Sequence, residues 1–126
     1  MRLLVCDDHN LLLDALSMAL TDNGHKVVAT AVDPDEAVEA AHEHQPDACL
    51  LDVNFPHANG LNAIGRIHAV SPDTKVVMLS GSISRSLVAD AIAEGAQGFV
   101  GKEKPVGVII EALEMAHQGH LAVDLL

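Results

Sequence analysis

The chain has 126 residues, of which 49% are hydrophobic and only 2% aromatic, and its formal net charge is −11. A chain of this length forms one domain that buries roughly two-thirds of its unfolded surface, and the apolar fraction excludes disorder. The acidity argues against nucleic acid or an anionic membrane as a direct partner, and the absence of Trp and Tyr removes the stacking surface of single-strand binders.

No apolar run reaches the length of a membrane span, and the apolar stretch before Asp7 is too short for a signal peptide. Cys6 and Cys49 lie inside strand-like runs with no spaced partner motif, which reads as free buried thiols in a reduced cytoplasm. The histidines are scattered; His42 and His44, two apart on a helix, point to different sides and make no metal pair.

In chain order, residues 1–6 read as a first strand, continuously apolar as parallel sheets require. Asn10 then caps a helix whose inner stripe is Leu12, Leu16, Ala19 and Leu20, stopped by Asn23-Gly24. Residues 27–31 form the second strand. Asp33 before Pro34 opens a second helix with Ala37, Val38 and Ala41 inward, ending before Pro46. The third strand is 48–51, followed by a loop through Pro56 to Gly60 and a helix carrying Leu61, Ile64, Ile67 and His68. Residues 75–79 are the fourth strand. The next helix, about 84–94, turns Leu87, Val88, Ala91 and Ile92 inward. Residues 97–100 are the fifth strand. Pro105 begins a last helix with Val106, Ile109, Ile110, Leu113 and Ala116 on its apolar side, closed by Gly119. Residues 121–126 show no usable period, so the domain is taken as 1–120 with the start of a linker or tail after it. Strands and helices alternating at this spacing imply an α/β fold, a parallel sheet with helices on both faces.

Chemistry gathers at the strand ends. The first strand runs into Asp7-Asp8, the third into Asp52, the fourth into Ser80-Gly81, and the fifth is followed by Lys102. Open parallel sheets bind ligands outside the carboxyl ends of their strands. Adjacent carboxylates repel unless a cation relieves them, and Mg²⁺ suits an all-oxygen set completed by water and phosphate. The backbone carbonyl of Asn54 is a further oxygen. With the Lys102 ammonium and the Ser80 hydroxyl, this set describes a phosphoryl site in which Asp52 attacks and cations neutralise the equatorial oxygens. Any one of these features alone is ordinary turn or surface chemistry; their agreement at one edge carries the reading.

These pieces, Leu3-Leu4-Val5-Cys6-Asp7-Asp8-His9, Leu50-Leu51-Asp52-Val53-Asn54-Phe55-Pro56 with Gly60, Val76-Val77-Met78-Leu79-Ser80-Gly81 and Gly98-Phe99-Val100-Gly101-Lys102, resemble the receiver domain of two-component response regulators. The likeness spans essentially the whole chain. It implies a (βα)5 doubly wound, flavodoxin-like fold, five parallel strands in the order 2-1-3-4-5. It implies Asp52 as phosphoacceptor for a sensor histidine kinase, Asp8 as a direct Mg²⁺ ligand, Asp7 as a direct or water-mediated one, and Asn54 as a carbonyl ligand. Ser80 and Lys102 would hold the phosphoryl oxygens. Phe99 matches the switch aromatic, turning inward as Ser80 moves toward the phosphoryl group and reshaping the last two helices and the strand between them. The protein would then be a phosphorylation switch rather than an enzyme, catalysing only its own phosphotransfer and dephosphorylation.

The stretch 7–11 and the segment after the last helix are most similar to the NarL/FixJ type, whose receivers precede a helix-turn-helix DNA-binding domain. On that likeness the chain is a receiver cut from a longer transcription regulator, touching DNA only through the absent domain; a stand-alone receiver is the alternative. Two departures stand out. Gly81 replaces the family's common Ala, opening the acyl phosphate to water or small phosphodonors, and Glu103-Lys104 precede Pro105, which displaces the start of the last helix. A haloacid-dehalogenase-type phosphatase is disfavoured because it needs a second Asp where Asn54 stands and has no room for a cap domain. A pseudo-receiver that binds partners unphosphorylated is disfavoured by the intact Asp7, Asp8, Asp52, Ser80 and Lys102 set. Leu11, Leu13 and Met18 exceed what one buried helical stripe uses, which points to a weak or phosphorylation-favoured homodimer.

Overall fold

Apolar strand runs bury completely, and they set the architecture. The computed structural model describes residues 1–123. In chain order it contains β1 (Arg2–Cys6), α1 (Asn10–Asp22), β2 (Lys26–Ala31), α2 (Pro34–His44), β3 (Ala48–Asp52), β4 (Asn54–Phe55), β5 (Ala58–Asn59), α3 (Leu61–Val70), β6 (Lys75–Ser80), α4 (Arg85–Ala93), β7 (Gly98–Gly101), α5 (Val106–His117) and β8 (Ala122–Val123). The main sheet has the order β2-β1-β3-β6-β7-β8, with every pairing parallel. The expected 2-1-3-4-5 order is therefore present as its first five members.

The expectation of five strands is corrected to six. Ala122 and Val123 pair with Gly98 and Phe99, and the Ala122 N–H donates to the Gln97 carbonyl at 3.0 Å. Packing thus continues past the boundary expected at residue 120; positions 124–126 of the expected tail lie outside the described residues. Two residues are too few to show a period, so the strand was invisible in sequence. Gly98 admits it: a Cβ there would stand 2.9 Å from the Ala122 carbonyl oxygen.

Alternation along the strands sends side chains to two separate cores. Leu3, Val5 and Leu50 pack with Leu13, Leu16 and Leu20 of α1 and Ile109, Leu113 and Ala116 of α5. Leu4, Cys49, Leu51 and Met78 pack on the other face with Ala37 and Ala41 of α2, Ile64 and Ile67 of α3, and Val88 and Ala91 of α4. Leu13 is thus buried, not surplus; Leu11 and Met18 are the exposed pair. Ile92 and Val106 are also exposed rather than inward. Ile92 sits 100° round the helix from Ala91, and Val106 opens α5 in its first turn.

The helix starts follow their caps. Asp33 accepts from the Glu36 N–H at 2.8 Å with Pro34 next in line, and Ser84 accepts from the Leu87 N–H at 3.1 Å. Asn10 does not cap α1; it is the first helical residue and His9 occupies the cap position without a side-chain bond. The stretch expected as a plain loop after β3 is a two-stranded hairpin, β4–β5. Gly60 closes it directly under the sheet edge. A Cβ there would collide with the Asp52 carbonyl oxygen.

Gly60→Ala is expected to lower the unfolding free energy by about 2 kcal/mol, because backbone on both sides must move. Gly65, exposed in α3 with nothing within 4 Å of an added Cβ, makes the matched control. Gly65→Ala is expected to raise stability by roughly 0.5–1 kcal/mol. Urea denaturation of both variants reads the difference.

Candidate functional site

Register brings the polar strand ends together. Cys6 pairs with Leu51, Asp52 with Leu79, and Ser80 with Gly101. Asp7, Asp52, Ser80 and Lys102 therefore emerge at neighbouring points of one sheet edge. Asp7, Asp52 and Ser80 are fully buried or nearly so.

Lys102 bridges the two buried carboxylates. Its Nζ donates to Asp52 Oδ2 at 2.8 Å and lies 3.0 Å from Asp7 Oδ2. Asp52 Oδ1 accepts from the Asn54 backbone N–H at 3.2 Å, which ties the β4–β5 hairpin to the carboxylate. Burial pushes the Asp52 carboxyl above the ordinary carboxylate range. The Lys102 hydrogen bond opposes that rise, the Asp7 charge adds to it, and the Lys102 charge and Asn54 N–H pull it back. Burial pulls the Lys102 ammonium down, but the hydrogen bond to Asp52, the close approach to Asp7 and the charges of both outweigh it, so its pKa lies above the ordinary lysine value. Lys102 stays charged.

One lysine does not neutralise three carboxylates. Asp8 Oδ1 is buried and accepts no hydrogen bond, and Asp7 Oδ2 meets only the Lys102 charge. Single oxygens of Asp7, Asp8 and Asp52, with a nitrogen of His9, lie within 4.8 Å of one another. An oxygen-rich cluster with surplus negative charge and unpartnered buried oxygens fits a divalent cation.

His9 is the member that sequence reading missed. Its backbone N–H donates to Asp7 Oδ1 at 2.9 Å, and its Nδ1 sits 3.1 Å from the same oxygen and 3.5 Å from Asp8 Oδ1. The only sequence signal was its position, directly after the acidic pair.

Ser80 is at the edge, but its hydroxyl is turned to its own loop: Oγ donates to the Ser82 carbonyl at 2.7 Å and accepts from the Ser82 N–H at 3.2 Å. Phe99 lies in the core on the side of α2, α3 and α4. Its ring is already 1% exposed, packed in the core with Met78, Val88 and Ala91, while Ser80 still faces Ser82. A phenyl ring has no hydroxyl to keep hydrated, so burial is favourable whatever Ser80 does. Beside Ser80, Gly81 leaves open space, with nothing within 4 Å of an added Cβ. The extra residues Glu103 and Lys104 do delay the last helix, which begins at Val106 with Pro105 at its cap. The cysteines are free and buried; burial pushes the Cys49 thiol up to about 12 and the Cys6 thiol higher still, so neither is nucleophilic at neutral pH.

Comparison with known proteins agrees with this geometry. Residues 3–114 match the response regulator receiver domain family. The chemotaxis protein CheY of Listeria monocytogenes is 35% identical, over 92% of this chain and 98% of its own. The oxygen regulatory protein NreC of Staphylococcus epidermidis is 33% identical over 99% of this chain, which spans only 58% of NreC. Among solved structures, the signal receiver domain of NarL from Mycobacterium tuberculosis is 30% identical and superposes with a TM-score of 0.88, covering 94% of this chain and 97% of its own. Family, fold and pocket coincide: this chain belongs to the receiver domains of two-component response regulators.

Proposed function

We propose that Asp52 is the phosphoacceptor of this receiver. The observation that carries the reading is Lys102 Nζ, held between Asp52 and Asp7 at the edge where the strands end. Asp52 Oδ attacks the phosphorus of a phosphohistidine on a sensor kinase. The phosphorus–nitrogen bond breaks, the acyl phosphate forms, and the kinase imidazole is released to take up a proton. Lys102 follows the charge from the carboxylate onto the phosphoryl oxygens, and Ser80 exchanges Ser82 for one of those oxygens. Asp7, Asp8, Asp52 and the Asn54 carbonyl are the set that would hold Mg²⁺. When bound, Mg²⁺ neutralises the carboxylates and the incoming phosphoryl oxygens.

The chain is a switch and not an enzyme: Asp52 is modified once and must be restored by hydrolysis of its own acyl phosphate. Movement of Ser80 pulls on the turn that precedes α4, so the signal leaves through α4, β7 and α5 without an inward swing of Phe99. A DNA-binding transcription domain is the output we favour, supported by NreC, of which this chain spans 58%. The buried free cysteines suit a cytoplasmic location, and among the described residues no helix is long and apolar enough to cross a membrane.

Incubation with acetyl phosphate and Mg²⁺ is expected to add one phosphoryl group, read by intact mass, and Asp52→Asn is expected to abolish it. A modification that persists in Asp52→Asn, or none on the wild type from acetyl phosphate or a kinase, overturns the assignment. Lys102→Met leaves two buried carboxylates facing each other and is expected to cost about 2 kcal/mol without metal, with Mg²⁺ recovering part of it; thermal melts with Mg²⁺ or with a chelator measure both. Exposed Leu11 and Met18, seven residues apart on α1, support self-association. Sedimentation at rising concentration is expected to show a dimer strengthened by beryllofluoride, and an unchanged monomer in both states counts against it.

A further inference from the structure

Phosphoryl transfer as described makes no use of His9, although its ring stands beside the acidic pair. Nδ1 lies 3.1 Å from Asp7 Oδ1 and 3.5 Å from Asp8 Oδ1. Both neighbours are carboxylate oxygens, which only accept. A bare ring nitrogen would turn its lone pair on two negative oxygens. The proton is therefore on Nδ1, and Nδ1–H donates to Asp7 Oδ1. Asp8 Oδ1, the farther of the two, takes no hydrogen bond and stays unpartnered. The side chain is 68% exposed, which leaves Nε2 to water.

Asp7 is where this bond acts. The residue has no exposure, so water does not orient its carboxylate. Oδ1 receives the His9 backbone N–H at 2.9 Å and the ring N–H at 3.1 Å, while Oδ2 faces Lys102 Nζ at 3.0 Å. The backbone bond closes a turn that any residue at position 9 would close. It fixes one oxygen and leaves the carboxylate plane free to rotate about it. The imidazole adds a second donor on that oxygen from another direction. With Lys102 on the other oxygen, the plane is fixed.

We propose that His9 is a positioning residue of the acidic pocket, its Nδ1–H locking the Asp7 carboxylate in the orientation that the pocket needs to bind Mg²⁺. The inference rests on the reading of this pocket as a Mg²⁺-assisted phosphoacceptor site and names the side chain that sets one of its carboxylates in advance. His9 acts through Asp7 and touches neither the ion nor the phosphoryl group. Hydrogen-bond partners behind a metal-binding carboxylate commonly carry about ten- to a hundredfold in metal affinity.

Two variants separate the donor from the bulk of the ring. His9→Asn keeps an N–H at the place of Nδ1, and His9→Leu fills that place with a methyl group; both keep the backbone bond. Calorimetric titration with Mg²⁺ is expected to show binding about tenfold weaker in His9→Leu and within about twofold of wild type in His9→Asn. With acetyl phosphate, His9→Leu is expected to raise the half-saturating Mg²⁺ concentration by about the same factor and to lower the saturated rate far less. Long-range proton–nitrogen NMR of the metal-free wild type, at a pH where the ring is neutral, is expected to show the proton on Nδ1 of His9. Unchanged Mg²⁺ affinity in His9→Leu, an equal loss in His9→Asn, or a proton on Nε2 overturns the proposal and leaves the phosphoacceptor reading standing. Failure of wild type to bind Mg²⁺ overturns both.

Discussion

Mutual repulsion of Asp7, Asp8 and Asp52 is the constraint on which the rest of this structure depends. Like charges at a buried sheet edge are costly in a medium of low effective dielectric. The fold answers with one ammonium group placed between the two most buried members, Lys102 at 2.8 Å from Asp52 and 3.0 Å from Asp7. That placement is only possible because three separate parallel ladders end in step, β1 on β3, β3 on β6 and β6 on β7. A slip of one residue in any of them would turn the side chain concerned to the opposite face. The apolar runs forbid such slips, since each would move Val and Leu side chains out of one core and into the other.

The backbone beneath Asp52 is as constrained as the side chain. The Gly60 N–H donates to the Val53 carbonyl at 2.6 Å, and the Asn54 N–H reaches Asp52 Oδ1. The β4–β5 hairpin is thus anchored at both ends to the strand that carries the central carboxylate. On the other side, Ser80 is held by Ser82 in a turn with open space over Gly81. One flank of the pocket is rigid and the other has a hydroxyl with somewhere to go, which is the arrangement a local charge event needs to produce a directed movement.

Phe99 is the largest fully buried side chain among the described residues. Its ring fills the core between β6, β7 and α4, a region that holds small side chains such as Ala91 and Ala96. With only two aromatic residues in the sequence, that ring is a large part of the local packing, and removing it would leave a cavity that Val and Ala cannot fill. Burial here serves stability first.

Length, apolar runs and turn residues determined the five alternations, the parallel sheet, most helix ends and the identity of the residues at the strand termini, because each depends on a local period or a short-range cap such as Asp33 to Glu36. The order of the motifs made Asp7, Asp8, Asp52, Ser80 and Lys102 legible as one set. Tertiary structure alone decided the rest. The Ala122–Val123 strand exists only because Gly98 offers a bare edge. Which stripe of α1 meets the sheet was decided by packing: Leu13, Leu16 and Leu20, at i, i+3 and i+7, are buried, and Leu11, off that stripe, is exposed. The inward Phe99, the turned-away Ser80 and the ring of His9 beside Asp7 and Asp8 are choices of side-chain rotamer made against neighbours tens of residues away in sequence or across a turn, and no pattern in the sequence encodes a rotamer.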